Sequence, residues 1–498
     1  MNDIVDAVNA IVWSPALVYL CLGVGLYFSI RTRFAQVRHF FEMIRLMLDG
    51  KSSAQGVSPF QALAMSLSGR VGTGNIAGVA TAITFGGPGA VFWMWVMAFL
   101  GASTAYIEST LAQIYKESVD GQYRGGPAYY IEKGLGTRWY AWIFAVATIV
   151  ACGLLMPGVQ SNSIAAGMNN SFGIDPAVTG AVLVILLGLI IFGGVKRITK
   201  FAEIVVPFMA LGYILVACVI VALNIDQLPG VISLIFRSAF GFEPAFGAVI
   251  GMAIQWGVKR GVYSNEAGQG TGPHPSAAAE VSHPAKQGLV QAFSVYVDTL
   301  FVCSATAFMV LITGAYNVVG TAGEKLHTGI AGMEAGPGYT QQAVESVLPG
   351  FGAAFVAIAL FFFAFTTIVA YYYIAETNVA YINRKLHRPW AVFLLKIAIL
   401  AATLYGCVKT ATVAWALGDI GVGLMAWLNI VAILILQKPA LKALRDYEAQ
   451  KRAGRDPQFS PLPLDIPNAV FWEKRAAENG DKPQFIEPQL GLPARDPQ

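Results

Sequence analysis

The sequence has few charged residues and little that suggests a soluble protein. Only 12% of its 498 residues are charged, whereas 56% are hydrophobic, and the mean hydropathy is +0.58. Runs such as "AVLVILLGLIIFGG" and "AVFWMWVMAFLGA" carry no charge at all. Long apolar runs of this kind are typical of membrane-spanning helices. The composition therefore excludes a soluble domain with a large core and indicates a polytopic membrane protein.

Several other features are missing. The five cysteines lie far apart in apolar runs and form no Cys-x-x-Cys pair, so we expect small packing residues rather than disulfides or metal ligands. The N-terminus "MNDIVDAVNAIVW" lacks the basic region of a cleavable signal, so we expect its apolar segment to be retained. The net charge of +4 lies in loops and tail and does not indicate a nucleic-acid partner.

The sequence also lacks the marks of an enzyme. No nucleophile with a matching base is apparent, and "NEAGQGTGPHP" has neither the preceding strand nor the Lys–Ser/Thr pair of a phosphate-binding loop. His274 and His283, in the same predicted loop, have no further ligands nearby that would indicate a metal site. We predict neither enzymatic activity nor a cofactor.

The hydrophobic pattern predicts an all-α fold with eleven membrane-spanning helices. The predicted segments are 12–31, 59–84, 88–116, 138–158, 176–194, 199–223, 243–262, 287–314, 347–381, 389–407 and 411–436. Lys and Arg concentrate in cytoplasmic connections. In alternate connections, 28 of the 33 Lys and Arg fall in one set, and the other set holds only Arg237, Lys325 and Lys409. The N-terminus is therefore predicted outside and the C-terminus in the cytoplasm.

Two of these segments share a pattern of proline and glycine. Pro59 precedes Gly72 by 13 residues in "SPFQALAMSLSGRVGTGN", and Pro244 precedes Gly257 by 13 residues in "EPAFGAVIGMAIQWGVKRG". Each is followed by four more spans, and five spans separate them, so their orientations are opposite. Glycine-interrupted spans in inverted halves are typical of helices broken around a transport site. Close helix packing is the other explanation for such glycines.

This pattern predicts a five-plus-five inverted repeat with two broken helices. The first repeat is 59–223 and the second is 243–436, while 1–58 holds an extra span and a cytoplasmic interfacial helix from Phe34. Residues 437–498 form a cytoplasmic tail that is first helical and then proline-rich, and we expect the proline-rich part to be disordered or loosely attached. At a break, freed N–H groups can hold a carboxylate and freed carbonyls a cation.

Several long motifs resemble the sodium:alanine symporter family. They are "GRVGTGNIAGVATAITFGGPGAVFWMW", "GPAYYIEKGLG", "GVQSNSIA", "KRGVYSNEAGQGTGPHPSAAA" and "FFFAFTTIVAYYYIAE", and the resemblance extends to about Pro439. It implies the leucine-transporter fold, with residues 12–31 as an additional span. It also implies uptake of alanine or glycine with sodium, sometimes with protons, by a monomeric transport unit in a bacterial-type inner membrane.

The resemblance also implies particular site residues. Gly72, Thr73, Gly74 and Asn75 would lie beside the substrate, where their N–H groups take its carboxylate. A sodium site would use the carbonyls of Ser68 and Val71 together with Phe363, Thr366 and Thr367. The other sodium position of the fold would involve the place of Arg70, so we expect one sodium ion. Arg70 would instead pair with the substrate carboxylate or a buried acid, or form a packing or gating ion pair.

Other polar and aromatic residues are further candidates. Gln160 is expected to bond the substrate or a neighbouring helix, and Gln255, Trp256 and Gly257 would lie at the second break, where Trp256 limits the substrate side chain or anchors the interface. Glu108 and Glu203 are predicted intramembrane acids. Glu108 or Glu203 would be the relay in a proton-coupled carrier, the alternative within transport. The other interpretation of Glu203 is a position at the membrane boundary near Lys200. A cation channel and a membrane enzyme are the alternatives from other classes.

Overall fold

The computed structural model describes residues 2–243, 246, 249–386, 388 and 390–478. Helices dominate these ranges, and strands are confined there to two short antiparallel hairpins. The strands are β1 (Glu117–Val119), β2 (Gln122–Arg124), β3 (Asn317–Val319) and β4 (Lys325–Thr328). Glu117 faces Arg124 in the first hairpin, and Asn317 faces Thr328 in the second.

The helices follow one another through short connections. They are α1 (Asn2–Val12), α2 (Pro15–Arg31), α3 (Ala35–Arg38), α4 (Phe40–Met47), α5 (Pro59–Arg70), α6 (Val79–Gly86), α7 (Gly89–Ile114), α8 (Pro127–Leu135), α9 (Arg138–Val150), α10 (Met156–Phe172), α11 (Pro176–Ile191), α12 (Val195–Leu223), α13 (Leu228–Ala239), α14 (Ile250–Asn265), α15 (Pro273–Ala278), α16 (Pro284–Tyr296), α17 (Ser304–Ile312), α18 (Pro337–Val347), α19 (Gly352–Leu386), α20 (Trp390–Val408), α21 (Ala411–Arg452) and α22 (Val470–Glu478). In the described part of the chain, three π-helical segments interrupt the α-helical runs: Gly74–Gly78, Ala151–Leu155 and Val297–Cys303.

Eight helices of the described chain are long and apolar enough to cross a membrane. They are Ile4–Arg31, Gly89–Ile114, Arg138–Phe172, Arg197–Leu223, Pro284–Ile312, Gly352–Leu386, Trp390–Val408 and Ala411–Arg452. Each coincides with one of the eleven predicted segments. The other three predicted segments contain shorter helices: α5 and α6, α11, and α14. The protein is thus a helical, multi-pass membrane protein, and the count of eleven remains a prediction.

The bundle has two distinct ends. At one end, which we name the vestibule end, a cavity of about 600 Å³ lies among Asp6, Trp256, Trp415 and the β3–β4 hairpin. At the other end, which we name the tail end, residues 453–478 lie against the end of α7 and the segment after α15. Helix α21 runs from the vestibule to the tail.

The first broken helix is confirmed. A reciprocal cap starts α5, because Ser58 Oγ accepts from the Gln61 N–H at 3.1 Å and Gln61 Oε1 accepts from the Ser58 N–H at 3.0 Å. The helix ends at Arg70, and Val71 leaves the helical conformation at φ −77° and ψ 86°. The chain then resumes as a π-helical segment that leads into α6.

The predicted position of the second break is wrong. Gly257 lies inside the continuous helix α14, where an added Cβ would lie 2.5 Å from Trp93 Cβ and 2.6 Å from Ala90 O. This glycine allows α14 and α7 to pack closely, which is the alternative explanation of the motif. The break comes after Asn265, where Glu266 adopts φ 56° and the chain turns before α15 begins at Pro273. Pro244 lies outside the described residues.

The tail also differs from the expectation. Helix α21 is continuous across the predicted boundary at residue 436 and ends only at Arg452. Beyond it, Trp472 is 1% exposed, so the described part of the tail is packed rather than loosely attached. The prolines at positions 483, 488 and 493 lie outside the described residues. In the predicted interfacial segment, α3 and α4 leave Val37 and Phe41 exposed, the latter by 84%.

Candidate binding site at the helix breaks

Oxygen atoms converge beside the first break. Thr367 Oγ1, on α19, lies 2.9 Å from the carbonyl oxygen of Ser68, 3.0 Å from that of Phe363 and 3.4 Å from that of Val71, and these three oxygens compete for its one proton. Because α5 ends at Arg70, the carbonyls of Ser68 and Val71 are free to point at this hydroxyl. Oxygen ligands of this kind suit a hard cation. Four of the five residues predicted to hold sodium are therefore brought together.

Thr366, the fifth predicted sodium ligand, points elsewhere. Its hydroxyl donates to the carbonyl of Phe363 at 2.9 Å and lies 3.9 Å from Met209 Sδ on α12. It shares one carbonyl with Thr367 but, within the described residues, forms no hydrogen bond with Ser68 or Val71. The two adjacent threonines therefore have different surroundings.

Backbone N–H groups at the break itself donate to side-chain oxygens instead of to helix carbonyls. The Gly72 N–H donates to Asn75 Oδ1 at 2.8 Å, and the Thr73 N–H donates to Gln160 Oε1 at 2.9 Å. An added Cβ at Gly72 would collide with Thr367 Oγ1 and lie 2.9 Å from Gln160 Oε1. The absence of a side chain thus lets the backbone approach α10 and α19 closely. These side-chain oxygens occupy the N–H groups that a carboxylate would otherwise accept from.

Gly74 packs the first break against the second broken helix. An added Cβ there would lie 3.2 Å from Ser264 Cα and 3.3 Å from Tyr263 Cδ1 in α14. Within the described residues, the buried Tyr263 hydroxyl and the buried Thr73 hydroxyl have no hydrogen-bond partner. Unpaired polar atoms in a buried site are costly unless a ligand or water binds them.

Asp298 is a site residue that the sequence analysis missed. It is fully buried, on the π-helical segment between α16 and α17. Its carboxylate accepts from Asn75 Nδ2 at 2.6 Å, from Ser264 Oγ at 2.9 and 3.0 Å, and from Thr299 Oγ1 at 2.7 Å. A buried carboxylate that is held by neutral donors can take up a cation or a proton. The available signal was an acid inside the apolar run "VYVDTLFV".

Arg70 is enclosed just before the first break. It is 2% exposed, and its Nη1 donates to Ser294 Oγ and to the carbonyl oxygen of Gln291 on α16. Among the described residues, no carboxylate lies within 4 Å of its guanidinium. The acids that act on it electrostatically are Glu266, Glu108 and Asp298. Arg70 thus balances buried acids at a distance and forms no direct ion pair with them.

The two predicted acids have different environments. Glu108 is fully buried and accepts from the Gly268 N–H at 3.1 Å and from Asn429 Nδ2 at 2.6 Å, so it fixes the second break. Glu203 is half-buried on α12 and accepts from Gln61 Nε2 at 3.1 Å near the start of α5. Only Glu108 lies next to a helix break.

Trp256 lines the vestibule rather than a helix break. Its ring stacks on Phe85 of α6 with a centroid distance of 4.8 Å, and it borders the vestibule cavity. Gln255 is half-buried beside it. The contacts of Trp256 and Gly257 are with α6 and α7, ten residues or so before the second break. The predicted site is therefore split, with Gly72 to Asn75 and Gln160 at the break and Gln255 to Gly257 towards the vestibule.

Two cations share one acid at the floor of the vestibule. Asp419 of α21 pairs with Lys259 Nζ at 2.7 Å and with Arg260 at 2.7 and 3.1 Å. The Arg260 guanidinium also lies 4.3 Å from the ring centroid of Trp415. Lys259 and Arg260 are among the 28 Lys and Arg that were counted as cytoplasmic from the sequence, but they lie at the end opposite the tail. They connect α14 to α21 directly above the first break.

Comparison of the chain with known proteins identifies its family. A model of the sodium:alanine symporter family matches residues 1–461. The chain belongs to this family. Its members and relatives are carriers rather than enzymes, and the chain is a carrier of the same kind.

Several curated relatives cover nearly the whole chain. The putative sodium/proton-dependent alanine carrier YrbD of Bacillus subtilis (strain 168) is 66% identical over 482 residues, which is 97% of this chain and 100% of that protein. The sodium/proton-dependent alanine carrier of Bacillus sp. (strain PS3) is 58% identical over 86% of this chain and 97% of its own. The sodium/alanine symporter AgcS of Methanococcus maripaludis is 39% identical over 87% and 94% of the two chains.

Solved structures show the same fold at low identity. A mutant of the Eremococcus coleocola manganese transporter has a TM-score of 0.52 at 13% identity and covers 87% of this chain and 97% of its own. A sodium-coupled sialic acid symporter in a substrate-bound, outward-open state has a TM-score of 0.50 at 12% identity, with coverage of 95% and 98%. These neighbours are related to the leucine-transporter fold, and the likeness concerns the fold alone.

Proposed function

We propose that this protein is a secondary active carrier that moves alanine, and also glycine, into the cell together with sodium. The observation that carries this proposal is the convergence at the first break. There the carbonyls of Ser68 and Val71 meet the Thr367 hydroxyl, next to the N–H groups of Gly72 and Thr73. One side of the break suits a cation and the other a carboxylate.

The substrate carboxylate would replace the side-chain oxygens at these N–H groups. Asn75 and Gln160 would turn away from Gly72 and Thr73, and Gln160 Oε1 would then accept from the substrate ammonium. There is little room beside Gly72, because an added Cβ there would meet Thr367 and Gln160. A small side chain fits this arrangement best, and the names of three relatives include alanine. Gly74 would position the break against α14.

Asp298 favours a second candidate, in which a proton is also coupled. Its carboxylate is buried among neutral donors and shares Asn75 with the first break, so its charge state can sense the substrate site. Two relatives are named as sodium/proton-dependent. Protonation of Asp298 would remove a buried charge at the cost of one hydrogen bond from Ser264 or Thr299. Glu108, beside the second break, is the next candidate in this role.

The orientation follows from the charges. With Lys259 and Arg260 moved to the vestibule end, the predicted cytoplasmic set still holds 26 of the 33 Lys and Arg. We propose that the tail end faces the cytoplasm and that the N-terminus is outside, in a bacterial-type inner membrane. The broken helices α5–α6 and α14–α15 and the short helix α11 would complete eleven spans, with an inverted repeat around the two breaks, in a monomeric transport unit.

Reconstituted vesicles test the function. We expect saturable alanine uptake driven by an imposed sodium gradient, with glycine competing for it. Uptake driven by a proton gradient alone, in the absence of sodium, would favour the proton-coupled alternative. Sodium flux that does not depend on alanine would instead indicate a channel and would contradict the proposal.

A further inference from the structure

Residues 456–478 form an ordered strap across the tail end, which we name the latch. Its first part is attached to the segment after the second broken helix. The Phe459 N–H donates to the Ser282 carbonyl at 3.0 Å, and Ser282 Oγ donates to the Pro457 carbonyl at 2.8 Å. Asp456 pairs with Lys286 Nζ at 2.6 Å. These contacts are to the stretch that joins α15 to α16 and to the first turn of α16.

Helix α22 attaches the rest of the latch. The indole N–H of Trp472 donates to the Gln113 carbonyl at 2.8 Å, at the end of α7. Arg475 pairs with Glu280 at 2.6 Å. The Lys116 ammonium lies 4.5 Å from the Phe471 ring centroid and 5.3 Å from that of Trp472. The latch therefore links α7 to the segment after α15 through buried aromatic groups and charges.

The segment under the latch joins the two broken helices. The Val57 N–H donates to the Ala278 carbonyl at 2.9 Å, and the Glu280 N–H donates to the Val57 carbonyl at 2.8 Å. Val57 immediately precedes the cap of α5, and Ala278 is the last residue of α15. The tail-end halves of both broken helices are thus held together by main-chain hydrogen bonds, and Glu280, which the latch binds, is part of that junction.

We propose that residues 456–478 are an autoinhibitory latch that holds the cytoplasmic ends of the two broken helices together and favours the state that is closed on that side. Alternating access requires the bundle to open at each end in turn around the central site. Opening at the tail end would separate α5 from α15 and break the main-chain bonds of Val57 to Ala278 and Glu280. The latch holds Glu280 in that junction through Arg475 and ties it to α7 through Trp472. Each latch contact made only in the closed state therefore opposes that opening.

If the latch holds the tail end closed, removal of the Trp472 side chain should expose the space between α5 and α15 to reagents from the cytoplasmic side. Ser66 is buried in α5, four residues before Arg70, and its hydroxyl has no partner among the described residues. Ser66→Cys, in a chain whose five native cysteines are replaced by alanine, would report opening through its reaction with a membrane-impermeant maleimide added to the cytoplasmic side. We expect Trp472→Ala to speed this labelling by about tenfold, which lies in the usual range of coupling between two sites.

The matched control is Lys474→Ala, which removes an exposed charge from the same helix. It should label at the rate of the unchanged latch. Arg475→Ala removes the pair with Glu280, the bond to the Val281 carbonyl and the contact with the Trp472 ring, but keeps the Trp472 bond to Gln113. Its expected rate lies between the two. Should Trp472→Ala fail to accumulate in the membrane, Arg475→Ala and a chain ending at residue 454 decide the question.

Equal labelling rates in the intact protein, Arg475→Ala and the chain ending at residue 454 would overturn the latch. Faster labelling in the shortened chain alone, without any change in Trp472→Ala or Arg475→Ala, would also overturn it, because the named contacts would then have no role. The measurement needs no amino acid and no sodium. Its outcome is therefore separate from the outcome of the alanine proposal, which the uptake assay tests.

Discussion

The hydroxyl of Thr367 lies 2.9 Å from the carbonyl oxygen of Ser68, across the gap between α19 and the end of α5. The neighbouring hydroxyl of Thr366 lies against Phe363 and Met209 instead. One threonine thus faces the freed carbonyls and the other does not. This difference gives the proposed sodium site a matched control at the next position of the same helix.

Thr367→Val keeps the shape of the side chain and removes its oxygen. We expect the half-saturating sodium concentration for alanine uptake to rise by about tenfold or more, since a lost ligand of ~1.4 kcal/mol changes an affinity tenfold. Thr366→Val should change it much less. Sodium titrations of uptake in vesicles measure both. Equal effects of the two substitutions would contradict the assignment of Thr367.

Gly72→Ala places a methyl group against Thr367 and Gln160. Overpacking of ~1–3 kcal/mol should weaken alanine affinity by about tenfold to hundredfold. Gly78→Ala is the control, because its Cβ would meet Trp415 and Arg260 at the ordinary distances of 3.6 and 3.8 Å. Equilibrium binding of labelled alanine gives the comparison. Normal binding by Gly72→Ala would place the substrate away from this break.

Asp298→Asn tests the proton-coupled candidate. The amide keeps the size of the side chain but can neither be charged nor take up a proton. If Asp298 carries a coupled proton, the variant should lose the dependence of uptake on a proton gradient while the sodium gradient still drives it.

With one sodium and no proton, one charge enters with each zwitterionic alanine, and reversal potentials of vesicles with intact Asp298 measure that ratio. A ratio of two sodium ions per alanine would rule out the assignment of Arg70 to the second sodium position.

Asp419→Asn tests the vestibule floor. The change leaves Lys259 and Arg260 without a countercharge in a buried setting, which is strongly unfavourable when one partner of an ion pair is removed. We expect α14 and α21 to separate more readily and external reagents to reach Tyr263 more quickly. An engineered cysteine at Tyr263 provides the measurement. Its labelling from the vestibule side should be unchanged in Asp6→Asn, which alters a charge at the rim of the same cavity.

The latch should depend on pH through Lys116, which lies two residues beyond the end of α7. Burial lowers the pKa of Lys116 to about 7, although nearby Glu280 opposes the shift. A lysine that is free in water keeps its proton to about pH 10. Docking of α22 therefore releases a proton between these values, so its equilibrium should strengthen by up to about tenfold per pH unit above pH 7 and stay level below it.

Protease sensitivity of residues 456–478 between pH 6 and pH 9 measures this dependence, and Lys116→Met should abolish it. The charged and titratable groups around Lys116 are Glu280, Arg475, Lys474, Glu478, Tyr123, Glu117 and Lys133. Burial and the bond to Glu280 raise the pKa of Tyr123, and bonds from Ser53, Arg475 and Tyr123 outweigh burial and lower that of Glu280. Neither group changes charge between pH 6 and pH 9. A level response in the intact protein would remove Lys116 from the latch equilibrium.

The sequence was sufficient to predict the class, the family and the first break. Membrane spans depend on composition over about 20 residues, and the break at Gly72 carries several local signals at once: a proline cap, a charged residue and closely spaced glycines. The same argument failed at Gly257. A single glycine with a proline at the matching distance does not distinguish a break from a close helix contact, and only the position of Ala90 and Trp93 in α7 decides between them.

The remaining differences arise from contacts between distant parts of the chain. Asp298 lies in a π-helical segment, which changes the direction in which its side chain leaves the helix and brings it to Asn75. Such segments have no simple sequence pattern. The proline-rich composition of the tail suggested disorder, but Phe459 and Trp472 are buried against each other, with Phe459 on His283 and Trp472 on the end of α7, and this burial orders the segment. Lys259 and Arg260 were misplaced because the position of the break was misplaced.

The tight contact between α14 and α7 at Gly257 has a mechanical consequence. Gly261, one turn further on, would also place a Cβ only 3.1 Å from Met97 Cβ, so the two helices touch along successive turns with no room to slide. We therefore expect α7 and α14 to move together as one rigid body. Bending is then confined to residues 266–272, where Gly268 and Gly270 already adopt φ of 82° and 87°. The hinge of the second broken helix is therefore the "NEAGQGTG" stretch itself. Glu108 accepts from the Gly268 N–H, and Asn429 donates to the Gly268 carbonyl and to Glu108, so both residues hold this stretch in place.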